Sequence, residues 1–178
     1  MTAGAASLSL VRDELFSTME QTEHLLEHFI AERSNGSHLQ QAVESLQQIR
    51  GTLNLIELAG AELLAQEILQ QATDIPVGAG DERNAQLSAL STALYVLRRY
   101  LETVDMHRHE FPELLLPAIN ELRQANAQPQ LPESFFFSVR LDTERPPIFG
   151  AAKVSSNFAA ETKRLRHMYQ VGLLGFLR

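Results

Sequence analysis

Four stretches of this chain space their apolar residues alternately three and four apart, and glycine or proline interrupts the chain between most of them. In the first, 7–33, the positions are Leu8, Val11, Leu15, Met19, Thr22, Leu26 and Phe29. The second starts at Ser37 and carries Leu39, Ala42, Leu46, Ile49, Leu53 and Ile56. Ala61, Leu64, Ile68, Ala72 and Ile75 mark the third, and Leu87, Leu90, Leu94, Leu97, Leu101 and Val104 mark the fourth, over 82–107. A helical period gives each stretch a single apolar stripe that water disfavours. Four such helices with short connections bury their stripes against one another as an up-and-down four-helix bundle, so the expected class is all-α.

The punctuation refines this. Asn35-Gly36 ends the first helix with turn chemistry, and Ser37 with Gln40 three residues later has the form of a capping box for the second. Gly60 marks a break or a close packing point before the third helix, and 76–81 reads as a loop. Pro112 and Pro117 predict an additional fifth helix reaching about residue 127. Residues 128–154 differ in kind: prolines, the run Phe135-Phe136-Phe137 and no helical period predict an extended arm whose rings pack onto the bundle. A C-terminal helix is expected from about Ser155. The predicted organisation is therefore a bundle over 1–128, a Pro/Phe-rich connector over 129–154, and a helix over 155–178. That last helix runs toward a following domain, as in the N-terminal piece of a longer protein.

Composition excludes several functions. At 44% hydrophobic and 21% charged, the 178 residues can fold around a real core. The net charge of −7 disfavours nucleic acid and anionic lipid, and the cluster Lys163-Arg164-Leu165-Arg166-His167 is too short to reverse that. Without cysteine there is no disulfide, thiol nucleophile or thiolate-held zinc, which suits the cytoplasm. Neither a signal peptide nor a membrane-spanning run is expected.

The second helix holds the most informative residues, Gln47-Gln48-Ile49-Arg50-Gly51-Thr52. At about 100° per residue, Gln47 points roughly 130° away from the buried seam and Gly51 lies almost opposite it. Gln40, Glu44, Gln47, Gly51, Asn54 and Leu58 are expected to form one exposed stripe. A glycine inside a helix costs about 1 kcal/mol relative to alanine. Either a partner protein approaches closely there, or the glycine serves internal packing or a bend; its outward angle favours the partner.

These six residues resemble the His-x-x-Lys-Gly-Ser/Thr motif of histidine-phosphotransfer (HPt) helices, with Gln47 for the histidine and Arg50 for the lysine. The longer run 45–67, from Ser45-Leu46-Gln47 to Ala65-Gln66-Glu67, resembles the N-terminal region of the FimL family. It also resembles the matching region of the ChpA/PilL-type hybrid chemotaxis kinases of type IV pilus systems. Residues 165–178 and the opening Ser7-Leu8-Ser9-Leu10-Val11-Arg12-Asp13-Glu14-Leu15 add to the likeness, the opening favouring FimL. The resemblance implies an HPt-like bundle that works as a scaffold in twitching motility and adenylate cyclase control. It also implies a CheY-like response regulator and a polar hub protein of the FimV type as partners, hence a place at the cell pole. A carboxamide has no nucleophilic lone pair for phosphorus, so Gln47 implies a site that docks without carrying phosphate. The alternative is an active phosphotransfer domain of a ChpA-type hybrid kinase, using a histidine outside the motif.

Other candidates are weaker. His24 and His28 have a metal-compatible spacing, but Leu25 stands where a zinc-protease helix needs glutamate, and no third ligand is near in sequence. His107 and His109, with Glu110 and Glu113, suit a helix C-terminus. No carboxylate pair, phosphate loop or nucleophile–base motif is evident, so no enzyme activity and no cofactor are expected. Oligomeric state stays open.

Overall fold

The computed structural model describes residues 3–137. The expected C-terminal helix, the basic cluster at 163–167 and the connector beyond 137 lie outside them. The four periodic stretches form α1 (Ala3–Ala31), α2 (Gly36–Leu55), α3 (Ala59–Asp74) and α4 (Asn84–His107). α1 packs on α2 and α4, and α3 packs on the same two, which closes a ring of four helices. Leu10 and Val11 of α1 share a groove with Thr52 and Leu55 of α2, so these neighbours run antiparallel. A short 3₁₀ turn, Pro112–Leu115, leads into α5 (Leu116–Ala125), which lies against α3 and α4. Among the described residues there is no strand. None of their helices is long and apolar enough to cross a membrane.

The apolar stripes are the core. Leu8, Leu15, Met19, Leu26 and Phe29 of α1 meet Leu46, Ile49 and Leu53 of α2, Leu64 and Ile68 of α3, and Leu90, Leu94, Leu97 and Leu101 of α4, all buried. Thr22 takes a core position because its hydroxyl donates to the Thr18 carbonyl at 2.8 Å, so no polar atom is left unpaired by burial. Polar links tie the helices at their ends. Buried Gln71 of α3 donates to the Gln86 carbonyl of α4 at 2.7 Å, and Gln86 donates to the Ala125 carbonyl of α5. Arg123 of α5 meets Glu67 of α3 at 2.6 Å, both largely shielded.

Several helix ends differ from the sequence-based expectation. α2 is capped by Asn35, whose side chain accepts from the Ser37 amide at 3.2 Å; Ser37 itself lies inside the helix and its hydroxyl accepts from Gln41. The Asn35-Gly36 pair thus opens α2 rather than closing α1. α2 ends before Gly60, through residues 56–58. Glu57 adopts a left-handed φ of 62°, its amide donates to Asn54, and the Leu58 amide donates back to Leu53 at 3.1 Å. That is a Schellman stop built without glycine, and the Leu58 side chain beyond it is buried. Ala127 repeats the device after α5, with the Gln128 amide reaching Arg123.

Gly60 is a close packing point. A Cβ there would lie 2.7 Å from Cβ of Pro112 and 3.4 Å from its Cα, a proline fixed at the start of the turn into α5. The connector also begins differently than expected. Asn120 and Leu131 exchange two hydrogen bonds, and 135–137 form a helical turn rather than an extended run. Phe135 and Phe136 pack edge-to-face at 5.2 Å with Phe136 buried, while Phe137 is exposed. Because the Pro112 ring and backbone have little room to retreat, Gly60→Ala should destabilise the fold by about 1–3 kcal/mol. A urea-unfolding midpoint unchanged from wild type would contradict that packing.

Candidate protein-docking site

The seam of α2 settles which residues face outward. Leu39, Ala42, Leu46, Ile49 and Leu53 are buried, and Gln40, Glu44, Gln47, Gly51 and Asn54 are exposed along one side of the same helix. Gln40 donates to Glu44 at 3.4 Å. The Thr52 hydroxyl is taken up locally, donating to the Gln48 carbonyl at 3.0 Å. A Cβ added to Gly51 would meet nothing within 4 Å, and α2 runs unbroken through it. Neither packing among the described residues nor a helix break therefore accounts for this glycine.

Two members of the predicted set are placed differently. Leu58 is not on the stripe: it lies beyond the end of α2, is 0% exposed, and is held inward by the turn at Glu57. Its Cδ2 sits 2.8 Å from where a Cβ on Gly4 would be, so the first turn of α1 covers it. Extrapolating a helical period past Leu55 caused the error. Arg50 is half exposed but turns toward α3, with Nε 3.6 Å from Glu62 Oε1. The stripe around Gln47 thus presents an amide, a glycine and a carboxylate, with its neighbouring cation drawn to the far flank.

On the other flank, between α1 and α2, lies a groove of about 250 Å³ that sequence reasoning missed. Buried Leu15 and Ile49 and half-buried Val11 line it, with Leu10 and Leu55 at its mouth. Leu10 is 87% exposed and Leu55 is 79% exposed. Both are apolar residues that fall off their helix's seam, next to seam positions Leu8 and Val11 or Leu53 and Ile56, and that misfit was the available signal. Thr18, Gln48 and Thr52 supply polar atoms, and Glu14 supplies a carboxylate. A second groove, about 380 Å³, separates α1 from α4, but its charges satisfy each other: Arg98 bonds Glu23 at 2.8 Å and Arg99 bonds Glu102 at 2.7 Å.

The histidines do not converge. His24 faces Glu27 at 3.5 Å on the surface, whereas His28 packs against the His38 ring at 5.4 Å. His107 and His109 rest edge-on against Phe111. Among the described residues no group of three or more potential ligands could hold a metal ion. What the stripe offers chemically is shape, hydrogen bonding and the Glu44 carboxylate, with neither a histidine nor a thiol on it.

Comparison with known proteins fits this helical body to one family. The family model described as FimL C-terminal domain matches residues 5–122. A protein from Pseudomonas aeruginosa named Scaffold protein FimL is 68% identical over 180 residues, covering 100% of this chain. The chain spans 32% of that relative's length. The matching model's description and the sequence-based resemblance name opposite ends of the longer protein. No solved structure matches.

Two substitutions separate the stripe from the core beneath it. Leu58→Ala should cost about 2–5 kcal/mol, because a fully buried leucine leaves a cavity. Gly51→Ala should stabilise by about 1 kcal/mol, since the added methyl meets no neighbour. Thermal unfolding of both variants checks the pair; equal shifts in the same direction would refute the assignment.

Proposed function

The chain belongs to the FimL family, and from that premise we propose that it is a catalytically inert, HPt-like interaction module of a scaffold protein. The observation that carries the proposal is Gln47: an exposed amide on an unbroken helix, one turn before a glycine that none of the described residues covers. Transfer of the HPt type uses a histidine nitrogen as nucleophile and a cation to neutralise the incoming phosphate. Gln47 lacks the first, and Arg50 is engaged by Glu62. Docking needs neither, and an uncovered glycine on a helix crest lets a partner's backbone come near. The relative's name, Scaffold protein FimL, accords with a role in holding other proteins.

We assign the stripe Gln40, Glu44, Gln47, Gly51 and Asn54 to partner binding. The family likeness suggests a CheY-like receiver and a FimV-type polar hub as those partners, in a cytoplasmic assembly at the cell pole. There it would link a type IV pilus chemotaxis-like system to cyclic AMP and twitching motility.

Incubation with a phosphorylated receiver domain tests inertness: no acid-labile phosphate should appear on the chain, and labelling of the wild type would overturn the reading. Gln47→His alone should not restore efficient transfer, because the cation stays drawn toward α3; robust labelling of that variant would mean the site geometry is intact. Gly51→Arg should weaken partner capture by tenfold or more, equivalent to about 1.4 kcal/mol. Unchanged capture would show that the bundle merely spaces other domains.

A further inference from the structure

We propose that the outer face of α4 is a self-association surface, on which a second copy of this chain packs its own α4 antiparallel about a two-fold axis. The surface lies on a different helix from the Gln47 stripe, so the inference stands apart from the docking role of α2.

The crest of α4 has the composition of an interface. Tyr95, Arg99, Glu102 and Met106 follow one another at helical steps, within about 60° of arc around the axis. Leu90, Leu94, Leu97 and Leu101 hold the opposite side in the core. Tyr95 is 59% exposed and Met106 is 77% exposed. Beside Tyr95 lies a hollow of about 210 Å³, lined by Val96, Tyr100 and Thr103 and edged by the exposed Leu114 of the 3₁₀ turn. Tyrosine, methionine and arginine are the types that interfaces favour, and exposed apolar groups gathered around a hollow mark a binding surface.

Charge selects the occupant. Arg99 and Glu102 pair at 2.7 Å on the crest, their side chains 63% and 36% exposed. Glu102 also lies 3.7 Å from Arg98, which is drawn away to Glu23 of α1 at 2.8 Å. With a two-fold axis centred between residues 100 and 101, each Arg99 falls opposite a Glu102 and each Tyr95 opposite a Met106. The four charges then alternate in sign around the axis, and a thioether meets an aromatic ring, a favourable contact. Centring the axis on residue 99 or on residue 102 instead brings like charges together. Parallel pairing sets Arg99 against Arg99 and is disfavoured for the same reason. The crest is complementary to itself in one register, which is what a two-fold contact requires.

From Tyr95 to Met106 the crest runs about 16 Å, three helical turns. A contact of that length is smaller than a standard interface, so the pairing is weak and exchanging. Its consequence for a scaffold is geometric. α1 and α3 each pack on both α2 and α4, so α2 and α4 stand at opposite corners of the ring. Joining two copies through α4 leaves both α2 faces outward and places two of them in one particle, which strengthens binding to a multivalent partner.

Sedimentation velocity on the 178-residue chain, from about 10 μM to about 1 mM, tests this. The weight-average mass should rise with concentration, from 19.9 kDa toward twice that value. Arg99→Glu and Glu102→Arg should each weaken association about tenfold or more, because each sets like charges across the axis. Mixing the two single variants should restore it, as should combining them in one chain, since both arrangements again oppose unlike charges. Tyr95→Ser should weaken it as well. None of these three side chains is buried, and the rescue by mixing itself reports intact folding. A mass that stays monomeric across the range would overturn the inference. So would association that survives both single reversals, or single variants that fail to associate when mixed. Amide shifts that move with concentration should cluster on residues 95–106 and at Leu114; a cluster on another face would mean a different contact and would overturn it too.

Discussion

The rotation of α2 about its own axis decides most of what this protein can present. Leu46, Ile49 and Leu53, all fully buried, lock that rotation against α1 and α3. A helix slipped by one residue would turn its surface through about 100° and expose the seam to water. Each of those side chains contributes about 1.5–3 kcal/mol by its burial, so the alternative rotations are strongly disfavoured. The position of Gln47 and Gly51 on the outer crest is thus a by-product of core packing, and it holds the face still enough for a partner to recognise.

Electrostatics shape what that face can attract. Arg12, Arg50, Arg98 and Arg123 all reach across to a carboxylate on a neighbouring helix, and these pairs lie on the flanks of the bundle rather than over α2's crest. The more exposed of these, such as Arg50 with Glu62, add little stability, commonly under about 1 kcal/mol. Their larger effect is on placement: cations spent between helices are absent from the α1–α2 groove, where Glu14 stands without one.

The chain reversals give the body its compactness around this face. At 56–58 a left-handed Glu57 throws Leu58 into the core beneath α1, and at Gly60 the missing side chain admits Pro112. These two contacts join the α2–α3 turn to both the start of α1 and the approach to α5. The end of α2 that carries Leu55 and the groove is consequently braced from two sides.

Read as a string, the chain already specified its four-helix character, because a three-and-four apolar period is local and burial must follow it: Leu8 to Phe29 and Leu87 to Val104 all lie where the period puts them, Val11 alone being half-buried. The outward aim of Gln47 and Gly51 came from the same arithmetic. Helix ends were less accessible. Asn35 and Ser37 are equally plausible caps by residue type, and only the geometry of the turn picks Asn35. Leu58 was misplaced because nothing local announces a Schellman stop at a glutamate. The direction of Arg50, the pairing of His28 with His38 and the trough between Leu10 and Leu55 were decided by tertiary structure. Each depends on which residue of another helix stands opposite. That is a distance in space between positions far apart in the chain, and helical periodicity carries no record of it.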